Sequence, residues 1–328
     1  MKKILSLILT FLMIFSLVSL AGCGNEPLKM GFGVSSQLSE VKNADGENNG
    51  SAEAVTTVAA VLLDKDGKIV KCAIDTADNT MAFAADGKAV AATEFLTKGE
   101  KGKDYGMVAY AGAKKEWFEQ KDAFISVIIG KTIDEIKALE KDGKGTDEVV
   151  NAGCTIKVSE FIPALEKAVK NAVDSEATAD DTLKVGVVTS QSDSKDATAE
   201  AKGVNELMTT VVAVALNDKN EITAAKTDAV TTKVEFDTKG ASETAFGTAI
   251  TTKREAGDNY GMVAYGGAKK EWYAQADAFD AKIIGKTADG ISALADNTGK
   301  AGDDLVNAGC TINVADMVKA AVKAATVK

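Results

Sequence analysis

The chain carries its own repeat, and the repeat limits what it can fold into. The segment D-Y-G-M-V-A-Y-A-G-A-K-K-E-W-F at 104–118 returns as N-Y-G-M-V-A-Y-G-G-A-K-K-E-W-Y at 259–273. Leu28-Lys29-Met30-Gly31 pairs with Leu183-Lys184-Val185-Gly186, and Thr56-Thr57-Val58 with Thr209-Thr210-Val211. Ile128-Ile129-Gly130-Lys131-Thr132 matches Ile283-Ile284-Gly285-Lys286-Thr287, and V-N-A-G-C-T-I stands at both 150–156 and 306–312. The order never changes, and the offset drifts only between 153 and 156. A unit of roughly 145 residues is too long for a solenoid repeat and suits a globular domain. The expectation is two tandem homologous domains, 28–173 and 183–328. The acidic stretch D-S-E-A-T-A-D-D-T at 174–182 reads as a linker short enough to keep them close.

Within a unit, strands come first and helices second. V-T-T-V-A-A-V-L-L at 55–63 is rich in β-branched residues, and Asp64-Lys65-Asp66-Gly67 is a turn. Lys68-Ile69-Val70-Lys71-Cys72-Ala73-Ile74 then alternates like a half-buried strand. The second unit turns at Asn217-Asp218-Lys219-Asn220, again with residues that tolerate positive φ. The polar, Gly/Asn-rich stretch 39–53 reads as a loop. Trp117, Phe124 and Ile128 fall at helical spacing, with Gly130 as C-cap. Thr132-x-x-Glu135 is a capping box, lost in the second unit where Gly290 replaces the glutamate. The final helix carries Phe161, Ile162, Leu165, Ala168, Val169, Ala172 and Val173 on one face. Ser159 is its expected N-cap, and Pro163 lies in its first turn. Strands followed by helices, rather than strict alternation, predict the α+β class with an antiparallel sheet in each unit.

The first 22 residues are set apart from the fold. Lys2 and Lys3 precede an apolar run that ends in Leu20-Ala21-Gly22-Cys23, the pattern of a secretory signal peptide. That ending resembles the lipobox of bacterial lipoproteins. The resemblance implies cleavage before Cys23, acylation of that cysteine and a lipidated tether at 23–27. It places the protein on the extracytoplasmic side of the cell membrane, held there by its lipid. Loss of 1–22 removes two lysines and no acid, taking the formal charge from −10 to −12. A surface that acidic repels nucleic acid, and no nucleic-acid partner is expected. The chain contains no histidine, which excludes His-based triads, His-ligated zinc or haem, and imidazole proton shuttles. Cys72, Cys154 and Cys310 lack metal-site spacing. The equivalent placement of the last two argues for a local role in each unit over a bridge between them.

Gly153-Cys154-Thr155 and Gly309-Cys310-Thr311 are the candidate site, and two readings stay open. In one, glycine allows close approach, and the threonine with the N-terminus of the following helix cradles a phosphate. In the other, the word is a buried strand-to-helix turn in which threonine satisfies a backbone amide. The aromatic residues divide the same way. Trp117 and Trp272 supply either core or the apolar wall that a planar ring needs. Tyr105 and Tyr260, each followed by glycine, read as loop residues and candidate ligand contacts. Lys114-Lys115-Glu116 and Lys269-Lys270-Glu271 read as solvated faces or as phosphate contacts.

Order and spacing resemble the FMN-binding domain of flavin subunits in bacterial Rnf-type and sodium-pumping quinone reductase complexes, found also in extracytoplasmic flavoprotein lipoproteins. In that family a strand, a D-G-K-I-type turn and a second strand precede an S-G-A-T-like motif and a closing helix. A flavin transferase joins FMN through its phosphate to the motif threonine. The turn stands here at Asp66-Gly67-Lys68-Ile69, against Lys219-Asn220-Glu221-Ile222 in the second unit. The motif glycine and threonine map onto Gly153 and Thr155, and onto Gly309 and Thr311. Ala-Gly-Cys-Thr replaces S-G-A-T, and Val149 and Leu305 stand where the family has its leading aspartate. The resemblance implies FMN in one or both units, either esterified to Thr155 and Thr311 or held without a bond. Cys154 and Cys310 would lie beside the linkage, and electrons would be relayed to a redox partner in the envelope. No residue set for group transfer accompanies the site, so a carrier is expected rather than an enzyme with its own substrate. The alternative is a lipoprotein of the same fold that binds a small solute or another envelope protein without flavin.

Overall fold

The computed structural model describes residues 26–191 and 193–326. The expected signal peptide, 1–22, and Cys23, the expected site of lipid attachment, lie outside the described residues. Three long antiparallel strands open the first half: β1 (Lys29–Lys42), β2 (Gly50–Leu63) and β3 (Ile69–Phe83). Three more open the second: β4 (Thr182–Ser190), β5 (Gly203–Leu216) and β6 (Ile222–Phe236). The tight turns between strands hold Gly67 at φ 74° and Asn220 at φ 58°, as the turn residues require. Helices follow in each half. The main ones are α1 (Trp117–Ile128), α2 (Asp147–Ala152) and α3 (Ile162–Lys170), then α4 (Trp272–Ile283), α5 (Asp303–Ala308) and α6 (Ala315–Thr326). The protein is therefore α+β, with one element order running twice. Among the described residues no helix is long and apolar enough to cross a membrane.

The parity of the central strands explains how the halves meet. Ala59, Val61 and Leu63 of β2 pack against Trp117, Phe124, Phe161 and Leu165 from the helices of their own half. The intervening Val58, Ala60 and Leu62 face the other way, onto Val211, Ala213 and Ala215 of β5. On β5 the parity repeats: Val212, Val214 and Leu216 join Trp272, Phe279 and Met317. Both central strands are buried on both faces, which is why 58–63 is a continuous apolar run rather than an alternating one. The layers run helix, sheet, sheet, helix. At one end of the sheet interface Phe83 and Phe236 stack with centroids 4.8 Å apart.

Three local expectations are corrected. The stretch 39–53 is mostly strand, with only 43–49 outside it, because Val41 and Ala52 face each other while Glu40 and Glu53 turn their polar groups outward. The linker is packed chain rather than a tether. Asp174 pairs with β1 together with Val173, which lies beyond the end of α3 at Lys170 rather than on its face. Ala177 is buried, and the Leu28 amide donates to the Ala177 carbonyl at 2.7 Å. The halves also share a ladder, since Ser36 and Gln37 of β1 pair with Ile250 and Ala249. Ser159 lies within a 3-10 turn, Val158–Glu160, and Phe161 takes the N-cap position of α3 with Pro163 in its first turn.

The capping box appears where it was expected. Thr132 and Glu135 satisfy each other's backbone amides, whereas Thr287 makes no side-chain cap bond. A side chain at Gly290 would meet only Lys286 atoms at ordinary contact distance. Gly290→Glu is accordingly expected to stabilise the protein by about 1 kcal/mol, through helix propensity and the restored cap. The urea midpoint is the measurement, and an unchanged or lower midpoint would contradict this account.

Candidate functional site

In each half the Gly-Cys-Thr word is joined, through a buried glutamine, to the K-K-E-W segment of the same half. In V-N-A-G-C-T-I, Gly153 ends α2 at φ 107° and Gly309 ends α5 at φ 96°, the left-handed conformation that glycine adopts without cost. The amides of Gly153 and Cys154 donate back to Val150 and Val149, closing the helix end; Gly309 and Cys310 do the same to Val306 and Leu305. The cysteines are fully buried free thiols. Burial pushes Cys310 up to about 11 and raises Cys154 in the same direction, so neither is a nucleophile at neutral pH.

Thr155 donates both its amide and its hydroxyl to Oε1 of Gln120, each at 2.8 Å. Thr311 does so to Gln275, at 2.8 and 3.1 Å. Each glutamine is almost wholly buried, and its amide donates in turn to the carbonyl of Lys115 or Lys270 at 3.0 Å. The K-K-E-W segment is thereby tied to the Gly-Cys-Thr word. Lys115 lies over Gly153, and Lys270 donates to the Ala308 carbonyl at 3.3 Å, a cation at a helix C-terminus. Glu116 accepts from the amides of Met107 and Val108, and Glu271 from those of Met262 and Val263. Glu116 and Glu271 therefore hold backbone, while Lys114, Lys269 and Lys270 lie on exposed faces as expected.

This geometry bears on the phosphate cradle. The word closes the carbonyl end of one helix instead of opening the amide end of the next, and that end disfavours an anion. The threonine hydroxyl already has an acceptor. As ester acceptors in this conformation Thr155 and Thr311 do not fit, although both are exposed. Among the described residues no cluster of acids and cysteines is arranged to hold a metal ion.

The aromatic expectation fares differently in the two halves. Trp117 and Trp272 are both core, 3% and 5% exposed. In the first half Phe161 stands edge-on to Trp117 with centroids 6.0 Å apart, and Tyr105 is half-buried against Lys98. In the second half Met317 replaces Phe161 and Ala321 replaces Leu165, both smaller or more flexible. A cleft of about 510 Å³ opens there, within the range of small-molecule sites. Tyr260, Trp272, Met208 and Met262 wall it, Ile312 of the repeated word borders it, and Lys253 reaches into it.

Lys253 is the candidate site residue that the sequence reading did not single out. Its ammonium sits 5.2 Å from the Tyr260 centroid, 5.8 Å from that of Trp272 and 3.5 Å from Sδ of Met208. Its first-half counterpart Lys98 instead pairs with Asp78 at 3.4 Å. Asp78 aligns with Thr231, so the second half has no acid at this place. A second hollow, about 600 Å³, lies between the halves near Asp75, Lys121 and Lys323. It is larger, and half-buried Lys184 also lines it, but those three charges are partnered. Asp75 accepts from Thr97 and Gly99, Lys121 pairs with Asp122, and Lys323 pairs with Glu100.

Comparison with protein-family models, with curated proteins and with solved structures finds no match to this chain.

Proposed function

We propose that the protein is a membrane-anchored extracytoplasmic lipoprotein that binds a small molecule in its second half, with the first half as a closed copy that buttresses it. The observation that carries this reading is the cleft beside Tyr260, Trp272 and Met317, at the place where the first half sets Phe161 edge-on against Trp117. An apolar wall with few polar groups is the usual make-up of a ligand site. The anchor would be the acylated Cys23, and the charge of the mature chain would keep it clear of anionic surfaces.

A flavin carrier is the second reading. What favours it is the aromatic wall next to Ile312, which offers a planar ring a surface in one half only. Under that reading Tyr260, Trp272 and Met262 would flank the ring, and the bound flavin would supply the redox chemistry. The protein would fix its position, exclude water with the methionines, and leave the threonines to their glutamines.

Native mass spectrometry separates the readings. Mature protein and its Met317→Phe variant, which copies the first half's filling, are incubated in envelope extract and desalted. One non-covalent adduct per wild-type chain, absent from the variant, is expected. A yellow adduct released by denaturation would identify it as flavin. Identical spectra for the two proteins would remove the binding proposal, and flavin mass persisting on Thr155 or Thr311 after denaturation would replace it with the covalent carrier.

A further inference from the structure

We infer that the second-half cleft selects molecules with an anionic head on a flat or apolar body, and that Lys253 is the group that reads the charge. The inference rests on the ligand-binding reading above and names the class of ligand.

A lysine that is 9% exposed normally carries a carboxylate with it. Lys98 does, through Asp78. Lys253 has the same place on the corresponding short helix, Lys253–Ala256, and the corresponding tyrosine, but Thr231 stands where the first half has Asp78. Two aromatic faces and a thioether are soft partners that leave the charge without a counter-ion. The acids that face it do not supply one. Asp316 borders the cleft, but Ser190 donates to it at 2.9 Å and Lys319 approaches it at 3.7 Å. Glu206 on β5 feels the lysine's field yet lies beyond ion-pair distance. Its carboxyl is raised, first by burial and then by Asp193, with Lys233, Lys253 and Lys195 pulling the other way.

A carboxylate, sulfonate or phosphate entering the cleft would replace the missing Asp78-type partner. Its attached ring would lie against Tyr260 and Trp272, whose faces are already turned toward a cation. Such an anion gains a charge-assisted bond in a site where little water competes. A neutral molecule of the same shape gains only the wall.

Two fluorescent probes of like shape test this on the full mature chain: anilinonaphthalene sulfonate, which is anionic, and N-phenylnaphthylamine, which is neutral. Lys253→Met removes the charge. Thr231→Asp leaves the lysine in place and restores the first-half acid, so it reads out the charge even where Lys253→Met disturbs the cleft. Met317→Phe fills the cleft and reports whether the probes bind there. The expected result is roughly tenfold weaker binding of the sulfonate in both charge variants, with the amine changed by less than about threefold. Both probes are lost in Met317→Phe. If the sulfonate is unaffected by Lys253→Met and Thr231→Asp, or both probes weaken alike, the charge selection is overturned while the cleft remains a binding site. If neither probe binds, or Met317→Phe changes nothing, the binding reading itself falls and takes the inference with it.

Discussion

Arg254→Ala is expected to cost the fold about 3–5 kcal/mol, the usual penalty for stripping one partner from a buried ion pair. The guanidinium donates to the Thr227 carbonyl at 2.9 Å, to Asp277 at 2.8 Å and to Asp280 at 3.3 Å. Asp277 is half-exposed and keeps Lys226 at 3.6 Å, so it contributes little. Asp280 is different. Its side chain is 6% exposed, and without Arg254 its remaining bonds are from the amide and hydroxyl of Thr227. Burial already raises its carboxyl above 3.8, with Arg254 the largest force opposing that rise.

The pH dependence follows in sign. An acid whose folded pKa exceeds its unfolded value binds its proton more tightly when folded. Its contribution is full below the unfolded value and is lost as pH rises through the folded one. Removing Arg254 pushes Asp280 further up, so the deficit should be smaller in acid and grow toward neutrality. Asp228, raised to about 6 by burial against the pull of Thr252 and the Arg254 amide, adds the same trend between about pH 4 and 6 in both proteins. The first half carries Gly99 and Ile125 at the positions of Arg254 and Asp280. Arg254→Ala combined with Asp280→Ile should therefore recover most of the loss, since an apolar replacement of a buried pair is often neutral. Urea denaturation of the three proteins at acid and neutral pH measures this. A single-variant cost below about 1 kcal/mol would mean that the network behaves as surface charge.

How much of this was legible in the sequence depends on the range of each interaction. The Asp64–Gly67 turn, the Thr132–Glu135 box and its loss at Gly290 are bonds within a few residues, and each is found as read. The α+β class came from the order of elements, which is also local. Harder were the partners of the Gly-Cys-Thr word. Thr155 meets Gln120 across 35 residues, and no spacing rule announces such a pair. The six-residue helices before the word are too short to show a period, so the word seemed to introduce a helix when it in fact ends one. The meeting of the two sheets did leave a trace, in apolar residues of both parities at 58–63. Read as β-propensity alone, that run hid its second buried face. Lys253 was legible only by laying one half on the other and noticing that Asp78 aligns with a threonine.

The word Leu-Lys-x-Gly supplies the last expected result: Gly186→Ala should destabilise by roughly 3 kcal/mol, and Gly186→Val should leave little folded protein. At Gly186 the backbone of α6 lies directly on β4. A Cβ built there would overlap the Ala320 carbonyl oxygen and crowd the Ala324 amide. Gly31 meets the Ala168 carbonyl on α3 in the same way, which is why glycine recurs in the word and alanine recurs on the helix. The glycine's φ lies outside the left-handed region, so alanine's backbone fits and the cost is one of packing alone. Because the obstacle is main chain, no rotamer change relieves it. Trimming the neighbour does not help either: Ala320→Gly leaves the carbonyl in place and adds about 1 kcal/mol of helix cost. The helix must instead lift from the sheet, carrying Met317, Ala321 and Ala324 out of the second-half core and widening the cleft beside them. Urea melts followed by tryptophan fluorescence give the stability. A Gly186→Ala protein within about 1 kcal/mol of wild type, or one rescued by Ala320→Gly, would show that the strand and helix are not held at backbone contact.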